Sequence, residues 1–231
     1  KAANPDATVI EGSTLGIHAN LWRQIAEQGG FQYADAIGVH PYTGHNRSYE
    51  EQGLIIPPEY ATNQEQQGDL QLLASIVADT QYAHGSTQNI EIWNTESGFW
   101  NNGVQAYYTQ GDKLIRKQIL QQSIGINNSF NFLNNAGYYV DGLIWGLIDS
   151  NGITPGAMAS IVYAQQLGGR SFSQWLNTDT PHVYAAEFGA AQSDGSHVVA
   201  VWSDDYAIDV VPLLSSGDDA TVTDEYGKQT T

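Results

Sequence analysis

The sequence predicts an α/β protein with a parallel sheet, followed by a smaller segment built of β-strands. Short β-branched runs alternate with stretches in which apolar residues recur at helical spacing, and glycine or proline separates them. Alternating strands and helices favour parallel pairing through right-handed crossovers. After residue 170 the helical stretches stop. We therefore expect one domain over 1–170 and the beginning of a second domain over 171–231.

Four strand–helix units are predicted in the first domain. The expected strands cover 7–10, 36–40, 90–97 and 129–133. The helices expected to follow them cover 19–27, 70–84, 112–124 and 155–167. Loops are expected over 11–16 and 134–153. Eight such units close a β/α barrel, and only four are predicted here.

The second domain begins with a predicted β-hairpin. Its strands cover 183–188 and 197–202, and Asp194-Gly195 supplies the turn between them. Further strands are expected over 207–214 and 220–222. This pattern is typical of the start of a β-sandwich module.

The charge balance excludes several classes of protein. The chain has 8 basic and 25 acidic residues, so its net charge of −17 repels nucleic acids and anionic membranes. No stretch approaches the roughly 18 to 20 apolar residues of a membrane-spanning helix. Without cysteine the chain has neither disulfides nor thiolate metal sites. Scarce lysine and abundant Asn, Gln, Gly and Tyr favour a secreted, extracellular protein.

The segment 90–100 carries the strongest candidate for chemistry. It starts as a β-branched and aromatic strand and ends with the carboxylate of Glu96 just before Gly98. In β/α barrels the loops after the strands form the active-site face, so an acidic residue at a strand's end is a candidate catalyst. Trp93, Phe99 and Trp100 add flat apolar surface around it. The alternative is that Glu96 is a solvated loop residue and these aromatic residues belong to the core.

His40 and Tyr42 are the candidates for supporting the Glu96 carboxylate. They follow the neighbouring predicted strand and, being two residues apart, point to the same side of an extended segment. Either side chain can donate a hydrogen bond that keeps a carboxylate ionised and aimed. Alternatively, His40 is a core histidine bonded to a backbone carbonyl. A metal site using His40 and His45 is disfavoured because no carboxylate stands at ligand spacing, and no cofactor is expected.

Several further residues are expected on the same face. For each aromatic residue among them, the alternative is that it packs within a loop and does not contact substrate. Asp141 and Asp149 are acidic alternatives to Glu96, but neither directly ends an apolar strand. The expected substrate contacts are Trp100, Trp145, Tyr107 with its neighbour Tyr108, and Asn94.

An ordered series of motifs resembles the retaining glycoside hydrolases of the large (β/α)8-barrel clan, most nearly the β-xylosidase and α-iduronidase-like group. The resemblance covers most of the chain. The motifs are Asn4-Pro5-Asp6-Ala7, the run Tyr33 to Tyr42, Ile92-Trp93-Asn94-Thr95-Glu96-Ser97-Gly98, Thr154-Pro155-Gly156-Ala157 with Leu167-Gly168-Gly169, and the strands from Val183 to Trp202.

The resemblance implies a role for each part of the chain. The four units correspond to strands five to eight of a (β/α)8 TIM barrel, and the strands after them to the family's accessory β-sandwich. Glu96 falls where the family has its catalytic nucleophile. The family's acid/base glutamate ends strand four after an asparagine, which lies upstream of Lys1, and this chain has no Asn-Glu pair. The expected partners are therefore a carbohydrate substrate and the missing amino-terminal barrel half, covalently continuous or docked.

Two other classes of function are weighed against this interpretation. A non-catalytic extracellular protein could retain the fold for carbohydrate binding or structural assembly. A strand ending in Asn-Glu upstream of Lys1 would favour the enzyme over that protein. A nicotinamide-dependent dehydrogenase is disfavoured because no G-x-G-x-x-G motif follows the first strand.

Overall fold

The computed structural model describes residues 4, 6–43, 49, 53–57, 68–83, 89–100, 104–132, 139–140, 143–149, 152–189, 197–203 and 221–230. The chain divides into two compact units, each described by itself below. The first unit contains 1–56, 60–98 and 124–132, and the second contains 57–59, 99–123 and 133–231. The predicted domain boundary at residue 170 stays a prediction.

A four-stranded parallel sheet forms the first unit, with the strand order β1-β2-β3-β4. This arrangement confirms the predicted α/β class. The strands are β1 (Ile10–Leu15), β2 (Ala36–His40), β3 (Glu91–Ser97) and β4 (Asn128–Asn131). The helices of this unit are α1 (Ala19–Glu27), α2 (Asp69–Ala83) and a 3-10 helix (Gly30–Tyr33).

The first strand lies further along the chain than predicted. The expectation placed it at 7–10 with a loop over 11–16, whereas β1 is formed by most of that loop. The pairing of β1 with β2 shifts register between Glu11 and Ser13, and Gly12 between them has a φ of 22°. Glycine tolerates the backbone angles that such an irregularity requires, so the polar residues after it can still pair with the neighbouring strand β2.

The two faces of this sheet differ in exposure. Ile37 and Val39 on one face have exposed fractions of 0%. On the other face Leu15 is 74% and Phe130 is 52% exposed. Parallel sheets are normally covered on both faces, so these large exposed apolar side chains distinguish this face from the buried one.

The second unit combines two helices with a three-stranded antiparallel sheet of order β11-β10-β9. The predicted hairpin strands are confirmed as the antiparallel pair β10 and β11, while β9 was not predicted. The turn expected at Asp194-Gly195 lies outside the described residues. The helices are α3 (Val104–Ser123) and α4 (Pro155–Leu167), and the strands of the sheet are β9 (Phe172–Trp175), β10 (Val183–Phe188) and β11 (Val198–Ser203). Six short strands form three separate pairs: β5 (Tyr139–Val140) with β6 (Leu143–Ile144), β7 (Ile148–Asp149) with β8 (Gly152–Ile153), and β12 (Val222–Thr223) with β13 (Gln229–Thr230).

Two further expectations concern the ends of this unit. Helix α3 begins eight residues before the predicted start at residue 112. The strand expected over 207–214 lies outside the described residues.

In the part of the chain that the structure describes, no helix is both long and apolar enough to cross a bilayer.

Apolar residues from α3, α4 and β10 form the core of the second unit. Ile119, Leu167, Ala186 and Phe188 are all less than 4% exposed and pack together. The Phe188 ring also meets Phe172 of β9 edge-on at 5.9 Å between centroids. The antiparallel sheet is thus joined to the two helices by hydrophobic contact.

One buried stripe of α3 is unusual in carrying polar side chains. Gln110, Leu114, Lys117 and Gln121 recur at i, i+4, i+7 and i+11, and none is more than 2% exposed. Burial penalises the charged form of an amine and lowers the pKa of Lys117 to about 7. The amine is therefore largely neutral in the folded protein above that pH.

Lys117 is expected to make stability depend on pH. From about pH 7 to the ordinary lysine pKa of 10.5, the unfolded chain binds a proton that the folded chain does not. The free energy of unfolding therefore increases with pH in this window, by up to about 1.4 kcal/mol per pH unit. Melting temperatures at about pH 7.5 and about pH 9 should differ by several degrees in the wild type and much less in Lys117→Met. Lys228, which is exposed, gives the control variant Lys228→Met. Equal pH dependence in all three proteins would contradict the assignment.

Candidate active site

The carboxyl ends of β2 and β3 bring a tyrosine to a glutamate within the first unit. The Tyr42 hydroxyl donates a hydrogen bond of 2.7 Å to Oε1 of Glu96, although the residues are 54 positions apart in sequence. Parallel neighbours end at the same edge of a sheet, so polar groups following two adjacent strands meet there. The expected contact between Glu96 and one of its two candidate supports is present, and the catalytic roles stay predictions.

An irregularity in β3 determines where Glu96 lies on the strand. Asn94 pairs with Ser129 of β4, but the next pair joins Ser97 to Asn131. Two residues of β3, Thr95 and Glu96, therefore stand opposite one residue of β4. Such a bulge interrupts the alternation of side chains between the two faces and re-aims the extra residue.

The environment of Tyr42 keeps its hydroxyl protonated. Burial is the largest cause that raises the pKa of Tyr42, and the hydrogen bond and negative charge of Glu96 raise it further. The ring meets Phe132 edge-on at 6.3 Å between centroids. Tyr42 is thus a fixed donor to one carboxylate oxygen, and Oε2 of Glu96 accepts no hydrogen bond from a described residue.

His40 lies near the same edge but serves through its backbone. Its carbonyl accepts hydrogen bonds from the amides of Gly16 at 3.0 Å and Tyr42 at 2.8 Å. Its half-buried imidazole makes no hydrogen bond to a described residue. Of the two candidate supports, the structure therefore brings Tyr42 into contact with Glu96. His45 lies outside the described residues.

Asn94 does not lie where a sugar could touch it. Its exposed fraction is 0%, and its amide nitrogen donates to the hydroxyls of Ser97 at 2.6 Å and Ser129 at 3.1 Å. The expectation of a substrate contact is corrected on this point. The reason is the register of β3, which turns Asn94 to the same face as the buried Ile92.

The other expected substrate contacts belong to the second unit. Trp100 and Trp145 are half-buried there. Tyr107, expected in a loop, lies in the first turns of α3, and its side chain is outside the described residues, as is that of Tyr108. Of the acidic alternatives, Asp149 lies half-buried in β7, and Asp141 is outside the described residues.

Gln110 holds two of these segments together and was not predicted from the sequence. Its amide nitrogen donates to the carbonyls of Phe99 at 2.6 Å and Trp145 at 3.2 Å. A side chain at Gly156 would come within 3.0 Å of Gln110 Oε1, so the glycine makes room for the amide. The available signal was a polar residue four positions before Leu114 on the buried side of a helix.

The Tyr42–Glu96 hydrogen bond is expected to contribute measurably to stability. Tyr42→Phe removes the hydroxyl but keeps the ring against Phe132, so the loss should be about 1–2 kcal/mol, as for a bond to a charged acceptor. Urea unfolding measures it. Tyr33, which is 72% exposed, supplies the control Tyr33→Phe with no expected change. Equal unfolding free energies for the two variants would show that the bond is negligible in solution.

Comparisons with known proteins agree with this geometry at the level of fold. No protein-family model matches the chain, and no curated protein matches it. A family 39 glycoside hydrolase from the gut symbiont Bacteroides cellulosilyticus WH2 aligns with a TM-score of 0.59 and 17% identity over 79% of this chain and 36% of that one. A family 51 arabinofuranosidase from Xanthomonas axonopodis pv. citri aligns with a TM-score of 0.50 and 11% identity over 89% of this chain and 46% of that one. The chain spans less than half the length of either structure, and it shares its fold with part of these two glycoside hydrolases.

Proposed function

We propose that this chain is the carboxyl-terminal half of the barrel of a retaining glycoside hydrolase, with the first strands of its accessory β-sandwich. In this proposal Glu96 is the nucleophile, and the four strands of the first unit are barrel strands five to eight. One observation carries the proposal: a carboxylate at the end of a parallel strand has one oxygen bound to the hydroxyl of a half-buried tyrosine. The similarity in fold to two glycoside hydrolases supports it.

The chemistry follows from a carboxylate in this position. An oxygen of Glu96 attacks the anomeric carbon as the glycosidic C–O bond breaks, and the departing oxygen takes a proton from a second carboxyl group. The product is a glycosyl ester of Glu96. Water, losing its proton to the second group, then attacks the same carbon, and the ester bond breaks to release Glu96 as a carboxylate.

Tyr42 suits the first of these steps. It donates to Oε1 and keeps its proton because its pKa is raised, so one oxygen of the nucleophile is held in place. Oε2 is left to attack. Trp100 and Trp145 are the proposed stacking surfaces for sugar rings, since each offers a flat aromatic face.

The second carboxyl group is proposed to come from the missing amino-terminal half. Retaining hydrolysis needs the two groups about 5 to 5.5 Å apart, and the related acid/base residue follows an asparagine at the end of strand four. The chain contains no Asn-Glu pair. Its match to only 36% of the family 39 structure is consistent with a longer protein or a docked partner that supplies it.

The exposed face of the first unit supports the same proposal. Leu15 and Phe130 present apolar surface on it, and β1 and β4 are the edges of the sheet. In a closed barrel this face becomes the packed interior. Edge strand β1 then pairs with strand four of the other half, and edge strand β4 pairs with strand one.

Replacing Glu96 with Gln in the complete protein should abolish turnover while preserving the fold. The amide matches the carboxylate in size but cannot act as the anionic nucleophile. The loss of kcat should exceed about 10⁴-fold, the upper range for general acid catalysis alone. Rates with 4-nitrophenyl glycosides measure it. Glu27→Gln, at an exposed glutamate of α1, serves as the matched control for the removal of a charge.

Azide tests the covalent role separately. In Glu96→Ala the smaller side chain leaves room for azide to attack the anomeric carbon in place of the carboxylate. Restored turnover with a glycosyl azide of inverted configuration is the expected result. Substantial activity in Glu96→Gln without added anion would refute the role and move suspicion to Asp141 or Asp149.

The 231-residue chain alone is expected to hydrolyse no aryl β-glycoside at a useful rate. It lacks the second carboxyl group, and its sheet edges have unpaired backbone groups. Activity assays of the chain, with and without the amino-terminal half added, measure this. Full activity of the chain as a monomer would contradict the division of the barrel.

A further inference from the structure

We propose that Asn94 is a positioning residue for Glu96, acting through the bulge in β3. This inference rests on the proposed function of Glu96 as the nucleophile and assigns Asn94 no contact with substrate. The carboxamide of Asn94 forms hydrogen bonds that link the two ends of the irregular stretch to each other and to the neighbouring strand. Glu96 is thereby held on the side of the sheet where Tyr42 reaches it.

The strand register shows why a tie is needed. In a regular strand, residues two apart face the same way, so Glu96 would share the buried face of Ile92 and Asn94. The shift between Asn94 and Ser97 inserts one extra residue and releases Glu96 from that face. A bulge in a parallel pair leaves ladder groups unpaired, so regular pairing competes with it.

The hydrogen bonds of Asn94 span this irregularity. Ser97, at 2.6 Å, lies after the extra residue on the same strand, and Ser129, at 3.1 Å, lies on β4 opposite Asn94 itself. Ser97 is 1% exposed and its carbonyl accepts the amide of Phe132 at 2.9 Å. A single amide group therefore fixes the strand on both sides of Glu96.

The chemistry of this residue fits positioning better than filling of a core. Its amide nitrogen has two protons and uses both, while Oδ1 accepts no hydrogen bond from a described residue. A buried unsatisfied oxygen destabilises the folded state, and an apolar residue of the same size would avoid this. Retaining the amide at this cost is understandable when its two donors hold a functional geometry.

Loss of the tie should act on the chemical step. Without the amide, the end of β3 can return towards regular pairing, which turns Glu96 away from Tyr42. A displacement of about 1 Å at a reacting group lowers rates by up to about 10²-fold. Substrate binding by residues elsewhere is unaffected. We therefore expect kcat to fall by about 10 to 100-fold with KM little changed.

The test uses the complete protein with Asn94→Leu, which removes both donors at similar volume. Ser97→Ala removes only one of the two hydrogen bonds donated by Asn94. If the leucine variant does not fold, Ser97→Ala provides the test of the positioning role. Ser75→Ala is the control, because it removes a serine hydroxyl of the same unit that bonds the Gln71 carbonyl within α2 at 3.1 Å. For each protein, kcat and KM are measured with 4-nitrophenyl glycosides, and a crystal structure gives the distance from Tyr42 Oη to Glu96 Oε1.

The inference is supported if Asn94→Leu, or Ser97→Ala to a smaller extent, loses the Tyr42–Glu96 contact and kcat while Ser75→Ala keeps both. It is overturned if the Tyr42–Glu96 contact persists in both variants. It is also overturned if the contact is lost but kcat stays within about twofold of the wild type. A wild type inactive on all the glycosides defeats the proposed function instead. The crystallographic distance then still decides whether Asn94 positions Glu96.

Discussion

The strand β2 is the constraint on which the first unit depends, because it is hydrogen-bonded along both sides. It pairs in parallel with β1 and with β3, and its Ile37 and Val39 have no exposed surface. Two parallel partners bring three strand ends to one edge, and the Tyr42–Glu96 hydrogen bond forms there. Tyr42 and Glu96 are 54 positions apart in sequence, and the pairing of β2 with β3 brings them together. A sheet of this kind can therefore bear long and variable connections without moving its site.

The fold could be predicted where local chemistry decides it. Helix α4 begins as expected because Thr154 caps the amide of Ala157 and Pro155 occupies the first turn. The start of α3 could not be predicted, because Gly111 is normally unfavourable inside a helix. In the folded chain it lies against the carbonyl of Pro155, where a Cβ would come within 3.1 Å. Contacts between distant segments thus override local propensity.

The site was predictable to a similar extent. The polar residues that follow two apolar strands identified Tyr42 and Glu96 as neighbours. Alternation along β3 said nothing of the bulge, because the side chains that stabilise it, Asn94 and Ser129, lie on different strands. Gln110 was missed for the same reason, since its two carbonyl acceptors are defined only by the tertiary structure. Sequence order predicts which strand ends are adjacent, and side-chain networks decide how each end is shaped.

Lys117 has a consequence for how this protein can be observed. A neutral amine is the form that reacts with acylating reagents, yet this one has 0% of its surface exposed. While it is buried no reagent reaches it, and when water reaches it the pKa of the amine returns towards the ordinary lysine value. Any acylation of Lys117 therefore records a moment when α3 leaves its packing, as hydrogen exchange records the opening of an amide. The chain thus contains a built-in reporter of local opening in its second unit.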